Sequence, residues 1–336
     1  MKKFGIVSII AILLVITACS QGNTNQSENS EMKASPFTGK ETTEDVTNRA
    51  IAVMVSNQKQ ARPQSGLSKA DIVFEMLTEG NITRFLAIYQ STEPEVVGPV
   101  RSAREYFFTL ASGYDAIYVY HGADDFINDM IISQGIDHLS GANHDNDGNL
   151  FVRETFRKAP HNSYFQFGAA YNAAKQKGYE IKQEHEPFLF LEEDEEIGGE
   201  EADGARITYS PNEPVVEFHY DESDQKYTRV NDGETTIELE SEMPIQIDNV
   251  LIVEAEHRVI DDQKRRFIDI ESGGPAYLLQ RGKVQKIQWE NRDGRIIPVD
   301  DDGQVVPFVQ GQTWINFIPS TPPQHVTEQV QFLNND

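Results

Sequence analysis

Hydrophobic and polar positions alternate differently along the two halves of the chain. Ile51–Ser56 is a short, continuous apolar run, the pattern of a strand buried on both faces. Asp71–Glu79 and Ile82–Ser91 are β-rich runs joined by Gly80-Asn81, which predicts a hairpin with a two-residue turn. That turn sets Ile72, Phe74, Met76 and Thr78 opposite Tyr89, Ala87, Phe85 and Thr83 on a core face. Asp71, Val73, Glu75, Leu77 and Glu79 then share the other face with Arg84. Ser102 and Glu105 have capping-box spacing and predict a helix from there to about Ser112, stopped by Gly113. Ala116–Tyr120 reads as a strand ending at His121-Gly122. Residues 124–134 read as a helix with acidic residues at its start, and after a loop at Arg157–Asn162 a further helix runs to about Lys177, closed by Gly178.

From Ile207 onward, strand-like runs alternate with turn pairs: Asp232-Gly233, Arg281-Gly282, Asp293-Gly294 and Asp302-Gly303. Expected strands are Val215–Tyr220, Val250–Glu254, Phe267–Ile270, Ala276–Leu279, Lys283–Trp289 and Thr313–Ile318. The fold class is therefore α+β. A mixed α/β N-terminal domain (46–182) is followed by a β-rich antiparallel C-terminal domain (206–320), either a sheet or a small barrel.

Outside these domains the pattern changes. Lys2-Lys3, the apolar run Phe4–Ile16 and Thr17-Ala18 form a signal peptide over 1–18. Ile16-Thr17-Ala18-Cys19 resembles the bacterial lipobox, in which the cysteine is lipidated and becomes the first mature residue. Cys19 is the one cysteine of the chain, which excludes an intramolecular disulfide framework. Residues 19–45, rich in Ser, Asn, Gln and Thr, read as a disordered tether. The expected location is the cell membrane, lipid-anchored on the extracytoplasmic face. Residues 321–336 read as a tail.

Charge sharpens this division. The 336 residues carry 54 Asp+Glu against 29 Lys+Arg, a net −25. Residues 46–182 are nearly balanced, with 13 basic and 15 acidic side chains. Residues 183–205 hold ten acidic residues and no Lys or Arg, and read as an acidic linker. Such acidity argues against nucleic acid as a partner. It leaves room for an anionic ligand at the first domain, where arginines gather.

Those arginines lie in blocks that carry a family resemblance. Arg62-Pro63-Gln64-Ser65-Gly66-Leu67, Ala70–Glu75, Glu79–Phe85, Gly98-Pro99-Val100-Arg101-Ser102-Ala103-Arg104 and Ala159-Pro160-His161-Asn162 resemble the YerB-like lipoproteins of Gram-positive bacteria. The resemblance implies a two-part envelope lipoprotein and brings no reaction with it.

Three functions remain open. Glu75, Glu79 and His121 are candidates for acid–base work on cell-wall glycan. Arg84, Arg101, Arg104, His161 and Asn162 are candidates for holding a phosphate or carboxylate, with peptidoglycan or teichoic acid as partner. The order of elements there, a strand, a second strand and then an Arg-rich turn into a helix, is loosely similar in pattern to that of the LytR–CpsA–Psr phosphotransferases. A non-enzymatic envelope scaffold is the third. Separately, Asn143, Asp145, Asp147, Asn149 and Glu154 have the spacing of an EF-hand calcium loop, with Gly148 at its sixth position, or else form an ordinary Asx-rich loop. No serine-hydrolase elbow, Walker loop, dinucleotide fingerprint or His-Glu-x-x-His is present, so no other cofactor is expected.

Overall fold

The computed structural model describes residues 32–192, 194–209, 215–320 and 329–334. Cys19 and the signal peptide lie outside the described residues. Among those described, strands from both halves join side by side in one eleven-stranded sheet. Its order is Glu200–Glu201, Lys283–Arg292, Gly274–Gln280, Asn249–Ala255, Thr313–Pro319, Ile72–Leu77, Thr83–Tyr89, Ile51–Ser56, Ile117–Tyr120 and His138–Ser140, with Arg295–Val299 also paired to Lys283–Arg292. Thr313–Pro319 is the joint. It runs parallel to Asn249–Ala255 on one side and to Ile72–Leu77 on the other. The second half is therefore not purely antiparallel, and residues 32–336 form one compact unit across the expected boundary.

Both faces of this sheet are covered. One meets a six-stranded antiparallel sheet that includes Gly204–Thr208, Val215–Asp221 and Lys226–Asn231; Val73, Leu77 and Phe85 pack there with Phe218, Tyr227 and Trp314. The other meets the helices Glu105–Gly113 and Asp125–Ser133, with Phe74, Leu86, Phe107, Ile131 and Phe317 in the core. Double coverage explains why Ile51–Ser56 is a continuous apolar run.

The turn chemistry of the second half is realised. Asp232-Gly233, Arg281-Gly282 and Asp293-Gly294 have positive φ at both residues, the requirement of a type I′ hairpin. The first hairpin departs from expectation. Ile72 pairs with Ile88, Phe74 with Leu86 and Met76 with Arg84, one residue away from the predicted register. The cause is the turn. Leu77↔Thr83 is the last pair, and Thr78 N–H donates to the Ile82 carbonyl, so the connection spans 78–82 rather than Gly80-Asn81 alone. A one-residue shift exchanges faces. Arg84 now lies on the opposite face from Glu75.

Other boundaries move for identifiable reasons. The tether was expected to reach residue 45, but Phe37 is buried against Tyr114, His185 and Phe188, so this part of it packs on the rest of the chain. In 183–205, Phe188, Leu191, Ile197 and Ala202 turn inward, and Glu200–Glu201 pairs with Lys283–Arg292, so the segment is packed along the second half. Val330–Leu333, in the expected tail, is a strand beside Gly204–Thr208. The Ser102/Glu105 capping box does not form. Arg101 N–H bonds to the Met54 carbonyl and Ala103 N–H to that of Gly122, keeping the chain extended until Arg104, the N-cap.

Candidate functional site

The strands Ile51–Ser56, Ile117–Tyr120 and His138–Ser140 run parallel, and their C-terminal ends meet one edge of the molecule. Segments 98–104, 121–124, 140–149 and 153–163 leave from or cross this edge. In parallel sheets, ligand sites favour the carboxyl ends of strands. His121 follows the middle strand directly, and Gly122 turns the chain with φ +83°. The His121 N–H bonds to the Arg101 carbonyl, lacing the two segments together.

The ring of His121 is fixed on both sides. Its Nδ1 lies 2.6 Å from Ser163 Oγ and its Nε2 lies 3.3 Å from Arg153 Nη2. A guanidinium can only donate. Nε2 is therefore the acceptor, and the neutral ring carries its proton on Nδ1, directed at Ser163. A Cβ on Gly141 would stand 2.5 Å from Nδ1, so this position leaves no room for a side chain. Burial, then Arg153 and Arg101, hold the His121 pKa below its ordinary value, with Asp145 opposing.

Arg153 connects the cluster. It forks onto Asp145 through Nε (2.6 Å) and Nη2 (3.0 Å), and donates through Nη1 to Asn162 Oδ1 at 3.0 Å. Asn162 in turn donates to the Glu154 carbonyl at 3.2 Å. Arg101 sits beside them with a different environment. Its Nη1 donates to the Pro160 carbonyl at 3.1 Å, its Nε is buried without a hydrogen-bond partner, and no carboxylate pairs with it among the described residues. Burial, then the charge of Arg84, push its pKa down to about 10. His161 is also lowered, by burial and then by Arg101 and Arg157, and its Nδ1 is a buried atom without a partner among the described residues. Arg157 donates to the Ala61 and Pro63 carbonyls.

The remaining candidates go elsewhere. Glu75 is fully buried and receives Arg229 Nε and Nη2 (3.0 and 2.6 Å), Trp314 Nε1 (3.1 Å), Thr83 Oγ1 (2.9 Å) and Asn57 Nδ2 (3.3 Å). The guanidinium of Arg229 also lies 5.2 Å from the Phe85 ring and 5.3 Å from that of Trp314. Such a carboxylate has no lone pair directed at a substrate. Glu79 clamps two arginines, Arg84 at 2.9 Å and Arg104, while Arg84 also donates to the Ser102 carbonyl. Arg84 and Arg104 are thus paired within the fold, unlike Arg101.

The EF-hand spacing does not become an EF-hand geometry. Asp145 is held by Arg153, and Asp147 caps the N–H groups of Asn149, Leu150 and Phe151. Glu154 N–H bonds to the Asn162 carbonyl, and the last part of the loop is the strand Phe151–Arg153, where the exiting helix of an EF-hand would begin. Asn143 N–H closes a turn on Ser140. Among the described residues, no three His, Cys, Asp or Glu side chains are grouped to hold a metal ion.

Arg153, Arg157 and Ser163 were not singled out in the sequence. The Arg157-Lys158 pair ahead of Ala159-Pro160-His161-Asn162 was the available signal for the first two. Arg229 had none, since its partner Glu75 lies 154 positions away.

Residues 37–180 match the N-terminal domain, and residues 205–315 the C-terminal domain, of the protein family of unknown function DUF3048. Over 323 residues the chain is 46% identical to a Bacillus subtilis (strain 168) protein named "Putative lipoprotein YerB", covering 95% of this chain and 96% of that one. The chain belongs to the DUF3048 family. Its fold is similar to the crystal structure of YerB from Bacillus subtilis, with a TM-score of 0.81 at 46% identity, covering 90% of this chain and all of the other. DUF3048 membership agrees with the resemblance read from the arginine blocks, and the relative's name agrees with the lipobox-like run before Cys19. No described helix is long and apolar enough to cross a membrane.

Proposed function

We propose that this DUF3048 lipoprotein is anchored through Cys19 on the extracytoplasmic face of the cell membrane and binds an anionic group of a cell-wall polymer. Arg101 is the primary contact, with Arg153, His161 and Asn162 around it and His121 behind them. The observation that carries this reading is the state of Arg101: a partly buried guanidinium that faces no carboxylate, while its neighbours Arg84 and Arg104 share Glu79. An incoming phosphate or carboxylate would supply the missing counter-charge and match the fork of the guanidinium. Teichoic acid phosphates suit this site better than a neutral glycan.

Glycan cleavage by Glu75 has little support, because its carboxylate is enclosed and its lone pairs are occupied. The test is calorimetric titration of the full chain in detergent with teichoic acid and, separately, inorganic phosphate. Binding that falls at least tenfold in Arg101→Ala supports the reading. Equal binding by wild type and Arg101→Ala, or no binding of either ligand, would return the protein to the scaffold reading.

A further inference from the structure

A polar cavity lies away from the arginine cluster, where residues on both sides of the joint meet. Its volume is about 370 Å³. That is at the lower end of the ~300–1,000 Å³ range of ligand pockets. The ribbon Lys33–Ala34/Glu41–Thr42 forms one wall, pinned by the bond from Gly311 N–H to the Thr38 carbonyl. The lining has six Ser or Thr hydroxyls, two glutamines, three lysines and three carboxylates, with no aromatic and no large aliphatic side chain. Such a surface rejects an apolar ligand, since nothing repays the desolvation of its polar groups.

Its charges are arranged in advance. Asp248 is buried and accepts Gln312 N–H at 2.8 Å, with Lys226 on one oxygen and Lys40 at 3.7 Å from the other. Gly311 (φ +144°) makes room for it: a Cβ there would lie 1.9 Å from Asp248 Oδ2. Asp71, also buried, accepts the Gln90 and Ser91 N–H groups at 2.6 and 2.9 Å, and the Ser91 hydroxyl. Burial pushes the Asp71 carboxyl up to about 6 and the Lys226 ammonium down to about 8. Two further lining residues, Ser35 and Gln312, each keep a buried side-chain oxygen without a partner among the described residues. Buried polar atoms in native structures are rarely left so.

We propose that this cavity binds one saccharide unit. Equal numbers of lysines and carboxylates give no preference for an ion. Closely set donors and acceptors, with no flat apolar wall, fit a ligand bearing a hydroxyl on nearly every carbon. The site draws on both halves of the chain, so it exists only in the assembled unit. It also begins three residues into the described chain, close to the membrane anchor along the sequence.

The test uses the full chain in detergent and saturation-transfer NMR with glucose and N-acetylglucosamine, and with glycerol as the control. At least one saccharide binds more tightly than glycerol, and Lys226→Met weakens it at least tenfold. Thr42→Val, a half-exposed ribbon residue outside the buried ion pairs, weakens it severalfold with an unchanged melting temperature. No saccharide signal at ~20 mM ligand, well above a millimolar Kd, overturns the proposal. So does binding that survives both substitutions in folded protein. Arg101→Ala leaves saccharide binding intact, so this result and the anion titration fail or succeed separately.

Discussion

Two charged groups in this molecule have opposite environments. Glu75 and Arg229 form an ion pair with no exposed atom, surrounded by Trp314, Thr83, Asn57 and two aromatic faces. Arg101, at the strand ends, is partly buried and meets carbonyl oxygen alone. The first arrangement is closed: each charge has its counter-charge within the chain, supplied from the other half of the sequence. The second is open. A chain that pairs Arg84 and Arg104 through one glutamate and leaves Arg101 without one keeps a cation available for something outside the fold.

The comparison breaks most visibly in stability. Arg229→Met strands a buried carboxylate and is expected to cost about 3–5 kcal/mol in urea unfolding. The double variant Glu75→Leu/Arg229→Met recovers most of that loss, because the pair's net contribution is small once both desolvation costs are removed. A mild effect of Arg229→Met alone would contradict a closed pair.

Arg101→Ala has the reverse signature. Anion affinity falls at least tenfold, about 1.4 kcal/mol, while the melting temperature stays level or rises as an uncompensated buried charge is removed. Calorimetry and thermal unfolding on the same preparation separate the two effects. A smaller loss, of about three- to tenfold, is expected for Gly141→Ala, whose Cβ displaces the His121 ring. Nitrogen-15 histidine spectra would show loss of the Nδ1–H tautomer, and an unchanged tautomer would argue against the assigned bond to Ser163.

Asp145→Asn sharpens the comparison in the other direction. It removes the one carboxylate paired with Arg153 among the described residues, so anion affinity rises by about threefold at low salt and less at high salt. The smallest effect is with pH. His121 and His161 both have lowered pKa values, so both are neutral at pH 7 and the fold resists their protonation. Their contribution to stability is present above the ordinary histidine value of about 6.5 and is lost as pH falls from there through their lowered folded values. A bound anion favours the protonated rings, so affinity rises about twofold between pH 7 and pH 5. A flat profile would place both rings out of reach of the ligand.

Much of this was legible beforehand. Six strands of the second half, the three type I′ turns, the helix at Asp125–Ser133 and the arginine blocks follow from local residue order, whereas Lys226–Asn231, which carries Arg229, was not among the expected strands. The failures share a cause. The hairpin register depended on whether two or five residues formed the turn, and one position of error moved Glu75 and Arg84 to opposite faces. The tether's end depended on one aromatic, Phe37, finding Tyr114 and Phe188 far along the chain. The EF-hand spacing was present, but Arg153 took Asp145 and the chain left the loop as a strand.

Residue types by themselves determined where the chain turns, which runs are buried, and that residues 46–182 of an acidic protein are nearly balanced in charge. These are properties of neighbours in sequence, set by φ preference, apolar periodicity and composition. Only the tertiary structure decided that Arg101 meets no carboxylate among the described residues while Arg84 and Arg104 do. The counter-charge of Glu75 comes from 154 residues away, and that of Arg84 from a glutamate five residues back that also serves Arg104. Coulomb and hydrogen-bond partners are chosen by distance in space. Their effect grows with burial, which no local stretch of sequence can report.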